Sequence, residues 1–216
     1  MREVELKVRN INKQEIIDTI TQLGAVRIFG GKVIDFRFDT PDRDLSRQGK
    51  ALRIRQKGSH VYLNLKGKKK SKESIIGRDE IGVKISNFRT MQNILHELGY
   101  IKIFELIKYR TQYRYKDITF DIDEYAGLDP ILEIESDSYE KVREYIDILG
   151  IQEEDIGRVY IREILEAKRT ISTKEFLDSK YKKNSHYHNL NNNKSDKLPH
   201  KEFTNSKNQK DVRDKL

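Results

Sequence analysis

The chain has 216 residues, with 43 lysines and arginines against 35 aspartates and glutamates, and charged residues make up 36% of it. It contains neither cysteine nor tryptophan, so disulfides, thiolate catalysis and thiolate metal sites are excluded, and any metal must sit on oxygen or nitrogen. No apolar run reaches a membrane span, and charges alternate from residue 2 onward, unlike a signal peptide; with a mean hydropathy of −0.80 the chain reads as soluble and cytoplasmic.

Alternation of charged and apolar residues marks the first strand, about 2–9: Glu3, Glu5 and Lys7 share one face, and Val4, Leu6 and Val8 share the other. Asn12 to Leu23 then carries Ile16, Ile17, Ile20 and Leu23 at helical spacing and closes on Gly24. Two more amphipathic segments, Met91–Leu98 and Tyr139–Leu149, also end in Leu-Gly followed by an apolar or aromatic residue. A further short helix is expected from about Tyr160 to Lys168. The remaining strands are expected at about 25–39, 51–57, 61–67, 76–86, 101–115, 117–124 and 130–136. Gly58-Ser59-His60 turns one hairpin, Tyr115-Lys116-Asp117-Ile118 turns another, and the lysine run Gly67–Ser74 reads as a mobile loop. So few helices leave most strands as antiparallel neighbours, which predicts an α+β fold with one large antiparallel sheet or barrel over residues 1–169.

Beyond Arg169 the periodicity stops. Residues 170–216 carry eleven Lys/Arg against six Asp/Glu, so they hold most of the net charge of +8. This Lys/Asn-rich stretch has too few apolar residues to offset the entropy of ordering, and we expect a disordered basic tail. Its composition allows weak contacts with nucleic acid; the isolated pair His186 and His188 is not read as a metal site. The pI of about 9.4 is mostly a property of that tail, and nucleic-acid binding does not follow for the domain.

The strands repeat the device of the first one, and the charges are sorted by sign. Bases stand on Leu52-Arg53-Ile54-Arg55, Leu65-Lys66 and Lys108-Tyr109-Arg110; acids stand on Glu3-Val4-Glu5, Asp121-Ile122-Asp123 and Glu133-Ile134-Glu135. Arg78-Asp79-Glu80 mixes the two. A face that only meets water has no reason to be sorted this way. If the sheet closes, the charged face becomes a polar lumen and the apolar face packs under helices. Clustered bases suit the oxygens of a polyphosphate, and clustered carboxylates suit a hard cation such as Mg²⁺ or Mn²⁺. Bases for phosphate with acids for metal describe phosphoryl or nucleotidyl transfer.

In order along the chain these segments resemble the CYTH superfamily, the triphosphate tunnel metalloenzymes. Glu3-x-Glu5-x-Lys7 is similar to its ExExK signature, and Asp35 to Asp39 to its D-x-Y-F-D strand. Ala51-Leu52-Arg53-Ile54-Arg55, Leu65-Lys66-Gly67, Arg78-x-Glu80, Lys108-x-Arg110, Asp121-x-Asp123 and Glu133-Ile134-Glu135 follow in the family's order. Two positions depart from it: Arg37 stands where a tyrosine is usual, adding positive charge near the tunnel mouth, and Gly82 stands where a third charged residue often follows.

The resemblance implies a closed eight-stranded antiparallel β-barrel with a few outer helices, holding a triphosphate lengthwise. By position Lys7, Arg53, Arg55, Lys66, Arg78, Lys108 and Arg110 would grip phosphates. Glu3, Glu5, Glu80, Asp121, Glu133 and Glu135 would hold Mg²⁺ or Mn²⁺, with Glu3, Glu5, Lys7 and Glu135 the catalytic set. The implied activity is a triphosphatase acting on tripolyphosphate, thiamine triphosphate or a nucleoside triphosphate. The alternative is a class IV adenylyl cyclase turning ATP into cyclic AMP and pyrophosphate, and the last reading is a non-catalytic binder of polyphosphate or an RNA 5′ end. Hydrolysis ranks first because cyclisation also needs a nucleoside pocket, for which no motif stands out. A homodimer is compatible with all three.

Overall fold

The computed structural model describes residues 2–68, 70–72, 75–157 and 173–181. Their elements run β1 (Arg2–Val8), α1 (Lys13–Gln22), β2 (Val26–Asp39), α2 (Asp44–Arg47), β3 (Ala51–Lys57), β4 (His60–Lys66), β5 (Lys70–Lys72) and β6 (Ile75–Ile85). There follow α3 (Phe88–Glu97), β7 (Ile101–Tyr115), β8 (Ile118–Glu124), β9 (Ile131–Ser136), α4 (Tyr139–Ile148), a 3₁₀ turn at Glu153–Asp155, and α5 (Thr173–Tyr181). The long strands pair in the order β1-β9-β8-β7-β2-β3-β4-β6, and β1 pairs again with β6, which closes an antiparallel barrel of eight strands. The α+β barrel expected from the alternation is therefore what forms. Closure removes both sheet edges, and every long strand then has one face toward a lumen and one toward the outside.

Three differences from the sequence expectation concern short elements. The lysine run is not all loop: Lys70–Lys72 forms β5, antiparallel to Gly77–Ile75, its backbone pairing into the β6 ladder. Helix α2 has no periodicity to announce it, being built by one carboxylate. Asp39 accepts from the backbone N–H groups of Thr40, Leu45 and Ser46 and from the Ser46 hydroxyl. Helix α5 lies inside the stretch expected to be disordered; the rest of that stretch, and the helix expected at 160–168, lie outside the described residues.

The three longer barrel helices start and stop for local reasons. Asn12, Asn87 and Ser138 each sit in extended backbone and accept from an N–H of the first turn. Gly24, Gly99 and Gly150 adopt positive φ just past the last turn. The residue after each donates back to a carbonyl five positions earlier, Ala25 to Ile20, Tyr100 to Leu95 and Ile151 to Ile146, so the Leu-Gly endings read in the sequence are Schellman-type caps.

The apolar core lies outside the barrel wall rather than within it. Val4, Leu6 and Val8 of β1, Phe120 and Ile122 of β8, and Leu132 and Ile134 of β9 are buried under Ile16 and Ile20 of α1 and Val142 and Ile146 of α4. A second layer puts α3, through Leu95 and Met91, on Phe38, Ile54 and Val61. Gly77 leaves room for a side chain of α4: a Cβ there would lie 2.4 Å from the Tyr139 hydroxyl oxygen. Helix α5 docks Phe176 against Tyr109 and Ala126, and its Lys180 pairs with Glu124, which Lys13 of α1 also reaches at 2.8 Å. Among the described residues, no helix is long and apolar enough to cross a membrane.

Candidate functional site

With the apolar faces turned outward, the charged residues of all eight barrel strands line the interior. A cavity of about 650 Å³ opens there, lined by Arg53, Arg55, Lys57, Asn64 and Arg110 on one side and by Glu3, Glu80, Asp121 and Glu135 on the other. Lys66, Lys108, Arg110, Asp121, Asp123 and Glu133 are all buried. Ions removed from water at this density are costly unless each finds a partner, and pairing is what the register arranges. Lys7 stands opposite Glu133, Arg55 opposite Asp35, Lys66 opposite Glu80, Arg78 opposite Glu3 and Arg110 opposite Asp123.

Two of these pairs are fully engaged forks. Arg55 donates through Nε and Nη2 to Asp35 at 2.6 and 2.7 Å, and this guanidinium overcomes the burial that would raise Asp35, holding its carboxyl far below the ordinary range. Arg110 donates through Nε and Nη2 to Asp123 at 2.6 and 2.7 Å, and through Nη2 to Glu133 at 3.0 Å. Its Nη1 is also in ion-pair contact with Asp121. Lys108 reaches the same Asp123 at 2.5 Å. Burial and the adjacent Arg110 outweigh that carboxylate and bring the Lys108 ammonium down to about 8. Arg110 is thus the shared cation of three buried carboxylates, Asp121, Asp123 and Glu133.

Other cations are less spent. Arg53 makes one 3.3 Å contact from Nη2 to Glu80, and Arg78 one 3.0 Å bond from Nη2 to Glu5. The Nε of each is buried with no hydrogen-bond partner. A buried donor left without an acceptor costs about 1–3 kcal/mol. One such donor, at Arg53, borders the cavity, and the other, at Arg78, stands on β6 across from Glu3.

The acidic wall has the opposite surplus. Lys66 bridges Glu3, at 2.6 Å, and Glu80, at 2.9 Å. Burial, repulsion from Glu135 and Glu5, and a hydrogen bond with Glu80 nevertheless outweigh Lys66 and raise Glu3 to about 8. Glu80 moves to about 2: burial opposes this, but the hydrogen bond with Glu3, Lys66 and Arg53 together prevail. Glu135 has no paired cation among the described residues, and burial with the charges of Glu133 and Asp121 raises it to about 7. Asp121 is also raised, by burial first. Both its carboxylate oxygens are buried outside hydrogen-bonding geometry despite the Arg110 contact.

This donor set fits a hard divalent cation in chemistry: oxygen ligands only, an excess of negative charge, and orphaned carboxylate oxygens at Asp121. Among the described residues no three acidic or histidine side chains already converge on one point. That arrangement suits an ion of the Mg²⁺ type, which takes one or two carboxylates and completes its shell with water and phosphate oxygens.

The family comparison agrees with this geometry. The model of the CYTH domain matches residues 1–160. The chain belongs to the CYTH family. A Methanocaldococcus jannaschii protein named provisionally as an adenylate cyclase is 34% identical over 167 residues, covering 73% of this chain and 95% of that protein. Among solved structures, a protein from Vibrio parahaemolyticus, also described provisionally as an adenylate cyclase, superposes with a TM-score of 0.66 at 23% identity, covering 76% of this chain and 97% of that one. A Hippeastrum protein described provisionally as an adenylyl cyclase, and as having a dominant triphosphatase activity, superposes with a TM-score of 0.55 at 18% identity, covering 76% of this chain and 95% of that one. At these identities the two structures show a shared fold.

Within this CYTH domain, every residue singled out in the sequence as phosphate-gripping or metal-holding lies on a lumen-facing position. What the sequence reading missed is the supporting cast. Asp35 and Asp123 are the counter-ions of Arg55 and Arg110. Lys57, two residues beyond Arg55 on the same face, lines the cavity and donates to Gln112 at 2.5 Å; its alternation with Arg53 and Arg55 was the available signal. Asp39, inside the segment similar to the family's D-x-Y-F-D strand, turns away to build α2. Gly82 leaves its volume to Asn64, whose amide nitrogen would lie 2.5 Å from a Cβ placed there.

Proposed function

We propose that this protein is a divalent-metal-dependent enzyme that binds a triphosphate inside its barrel and hydrolyses it. The observation that carries this reading is the unspent wall chemistry: buried arginine donors without acceptors at Arg53 and Arg78 face carboxylates with surplus negative charge at Glu3, Glu135 and Asp121. A phosphate chain with its metal ion supplies both deficits at once.

In this reading Arg53, Arg78 and Lys66 take non-bridging phosphate oxygens, while Arg55, Lys108, Arg110 and Lys7 set the positive field along the chain. A Mg²⁺ or Mn²⁺ ion held by one or two carboxylates of the set Glu3, Glu5 and Glu135, with Asp121, Glu133 and Glu80 on the same wall, would supply Lewis-acid stabilisation of charge on the phosphoryl oxygens. Glu135, raised to about 7, orients water and accepts its proton near neutral pH. The water oxygen bonds to the terminal phosphorus, the bridging P–O bond breaks, and the electron pair leaves on the shortened phosphate chain. The lumen holds the reacting groups in line and excludes bulk water.

The second reading, cyclisation of ATP, is favoured by the name of the Methanocaldococcus relative. There the ribose 3′-hydroxyl attacks the α-phosphorus and pyrophosphate leaves. Hydrolysis ranks first because no aromatic side chain is among the described residues lining the cavity, whereas cyclisation needs a seat for the base and ribose. The Hippeastrum protein's described activity is consistent with hydrolysis on this fold.

The test is a product assay with Mg²⁺ and then Mn²⁺, offering ATP and inorganic tripolyphosphate separately. Phosphate without cyclic AMP supports the triphosphatase. Cyclic AMP with equimolar pyrophosphate replaces it with the cyclase, and tight binding without turnover of either replaces both with a binding module.

A further inference from the structure

Among the described residues, five buried side-chain nitrogen and oxygen atoms have no hydrogen-bond partner. Three of them, both carboxylate oxygens of Asp121 and the Nε of Arg78, fall to metal and phosphate in the reading above. The other two are a donor and an acceptor on neighbouring strands, the Nε of Arg53 and the Oδ1 of Asn64. Arg53 of β3 stands directly opposite Asn64 of β4, and both border the cavity.

Each side chain is held by something else. Arg53 gives its Nη2 to Glu80 at 3.3 Å, which leaves Nε outside that pair. Asn64 has Gly82 of β6 on its other side. Its amide nitrogen takes the space a side chain at 82 would fill, 2.5 Å from a Cβ placed there. The oxygen of the same amide is the acceptor without a donor. Although the two residues are opposed, these atoms make no bond to each other.

An unpaired donor beside an unpaired acceptor narrows what can satisfy them. A phosphate oxygen only accepts, so it serves Arg53 and sets negative charge against the lone pairs of Asn64. An ammonium group only donates, and it is repelled by the guanidinium. A hydroxyl does both, accepting from Nε and donating to Oδ1 through one oxygen.

We propose that Arg53 Nε and Asn64 Oδ1 form a seat for an alcohol hydroxyl of the substrate, and that the triphosphate taken up is the ester of a hydroxyl-bearing group such as a sugar. This rests on the reading of the barrel as a triphosphate site. The other N–H groups of Arg53 remain for the phosphate chain, which sets the hydroxyl beside it. The seat goes with hydrolysis and with cyclisation alike, because it brings the hydroxyl to neither phosphorus. Asn64 is in this role a specificity-determining residue, and the space that Gly82 leaves is what lets its amide lie there.

The test measures, by calorimetry without metal, the affinity of the full-length protein for ATP and for 2′,3′-dideoxy-ATP. The same pair is offered to N64L and N64D, with the thermal midpoint of each protein taken without ligand. We expect wild type to bind ATP about tenfold or more above the dideoxy analogue. N64L removes the acceptor at nearly constant volume and should bring that ratio to about one. N64D gives Arg53 a carboxylate of its own and closes the seat. Its ratio should fall likewise while its midpoint holds or rises, so it decides the matter if N64L does not fold. A wild type that binds both nucleotides equally would overturn the proposal, and so would a wild-type ratio that survives in either folded variant. The first result would mean that the two atoms meet only water, the second that the hydroxyl is held elsewhere in the lumen. Failure of the underlying reading looks different. A wild type that binds neither nucleotide overturns both, and a ratio lost in N64L without turnover in the product assay keeps the seat and removes the enzyme.

Discussion

Glu5 of β1 and Glu135 of β9 occupy the same register, carboxylate opposite carboxylate, as Arg37 and Arg53 do for the bases on β2 and β3. Each is a local conflict that the ladder holds in place, and conflicts of this kind persist where a ligand resolves them. In the reading proposed above, a cation would relieve the Glu5–Glu135 pair and an anion the Arg37–Arg53 pair. A metal–phosphate complex is both.

Replacing Glu135 by glutamine removes one of the opposed charges and keeps the shape. E135Q should lower metal-dependent kcat at least 100-fold while metal-free tripolyphosphate affinity changes less than threefold. Its thermal midpoint in chelator should equal or exceed that of wild type at pH 8. Turnover at the wild-type rate would remove Glu135 from the mechanism.

Stability should depend on pH in a way that metal reverses. Glu3 and Glu135 titrate near 8 and 7 in the fold against 4.5 ordinarily. The folded chain therefore binds more protons than the unfolded one between about pH 4.5 and 8, and the metal-free protein loses their contribution as pH rises through that window. Asp35 and Glu133, held low by Arg55 and Lys7 against burial, act oppositely, and their contribution is lost as pH falls below about 4. Denaturant titrations in chelator should thus find maximal stability near pH 5, with the decline toward pH 8 flattened by Mg²⁺. A metal-free protein that gains stability steadily up to pH 8 would contradict the assignment.

Arginines of the same lumen should separate into scaffold and grip. R110A strands Asp121, Asp123 and Glu133 without their shared cation and should cost about 3–5 kcal/mol in urea unfolding. R53A deletes a cation that already faces Arg37, so stability should move by less than about 1 kcal/mol, while tripolyphosphate affinity falls tenfold or more. Equal stability losses would mean that Arg53 is as structural as Arg110.

Helix α5 should contribute to the fold through one side chain. F176A removes the aromatic ring packed on Tyr109 and Ala126, and because the site lies at the outer wall we expect at most about 3 kcal/mol of destabilisation. Hydrogen exchange in β7 near Tyr109 should rise in parallel. Unchanged exchange there would show that the docking contributes nothing.

Much of this protein was legible one residue at a time. Period-two alternation marks the eight barrel strands because a wet lumen and a dry outer wall impose opposite demands on successive side chains. Leu-Gly followed by an apolar residue marks three helix ends because the cap needs positive φ and a hydrophobic contact. Segregation of acids and bases onto different strands pointed to the lumen and to its chemistry. Helices α2 and α5 escaped because neither is stabilised by its own periodicity: one hangs on Asp39 and the other on a distant tyrosine.

Only the closed barrel decides which charge neutralises which. That Arg55 is consumed by Asp35 while Arg53 faces Arg37, that Arg110 serves three carboxylates, and that Glu135 is left without a paired cation among the described residues all follow from the strand order and register. Those are set by packing between segments more than a hundred residues apart, as Val4 and Ser136 are, which local periodicity does not encode. Sequence alone supplied the alphabet of the site, bases and acids sorted onto different strands. The tertiary structure decided which of them are already satisfied, because a buried charge is free to bind a ligand only where its neighbours across the ladder have left it unpaired.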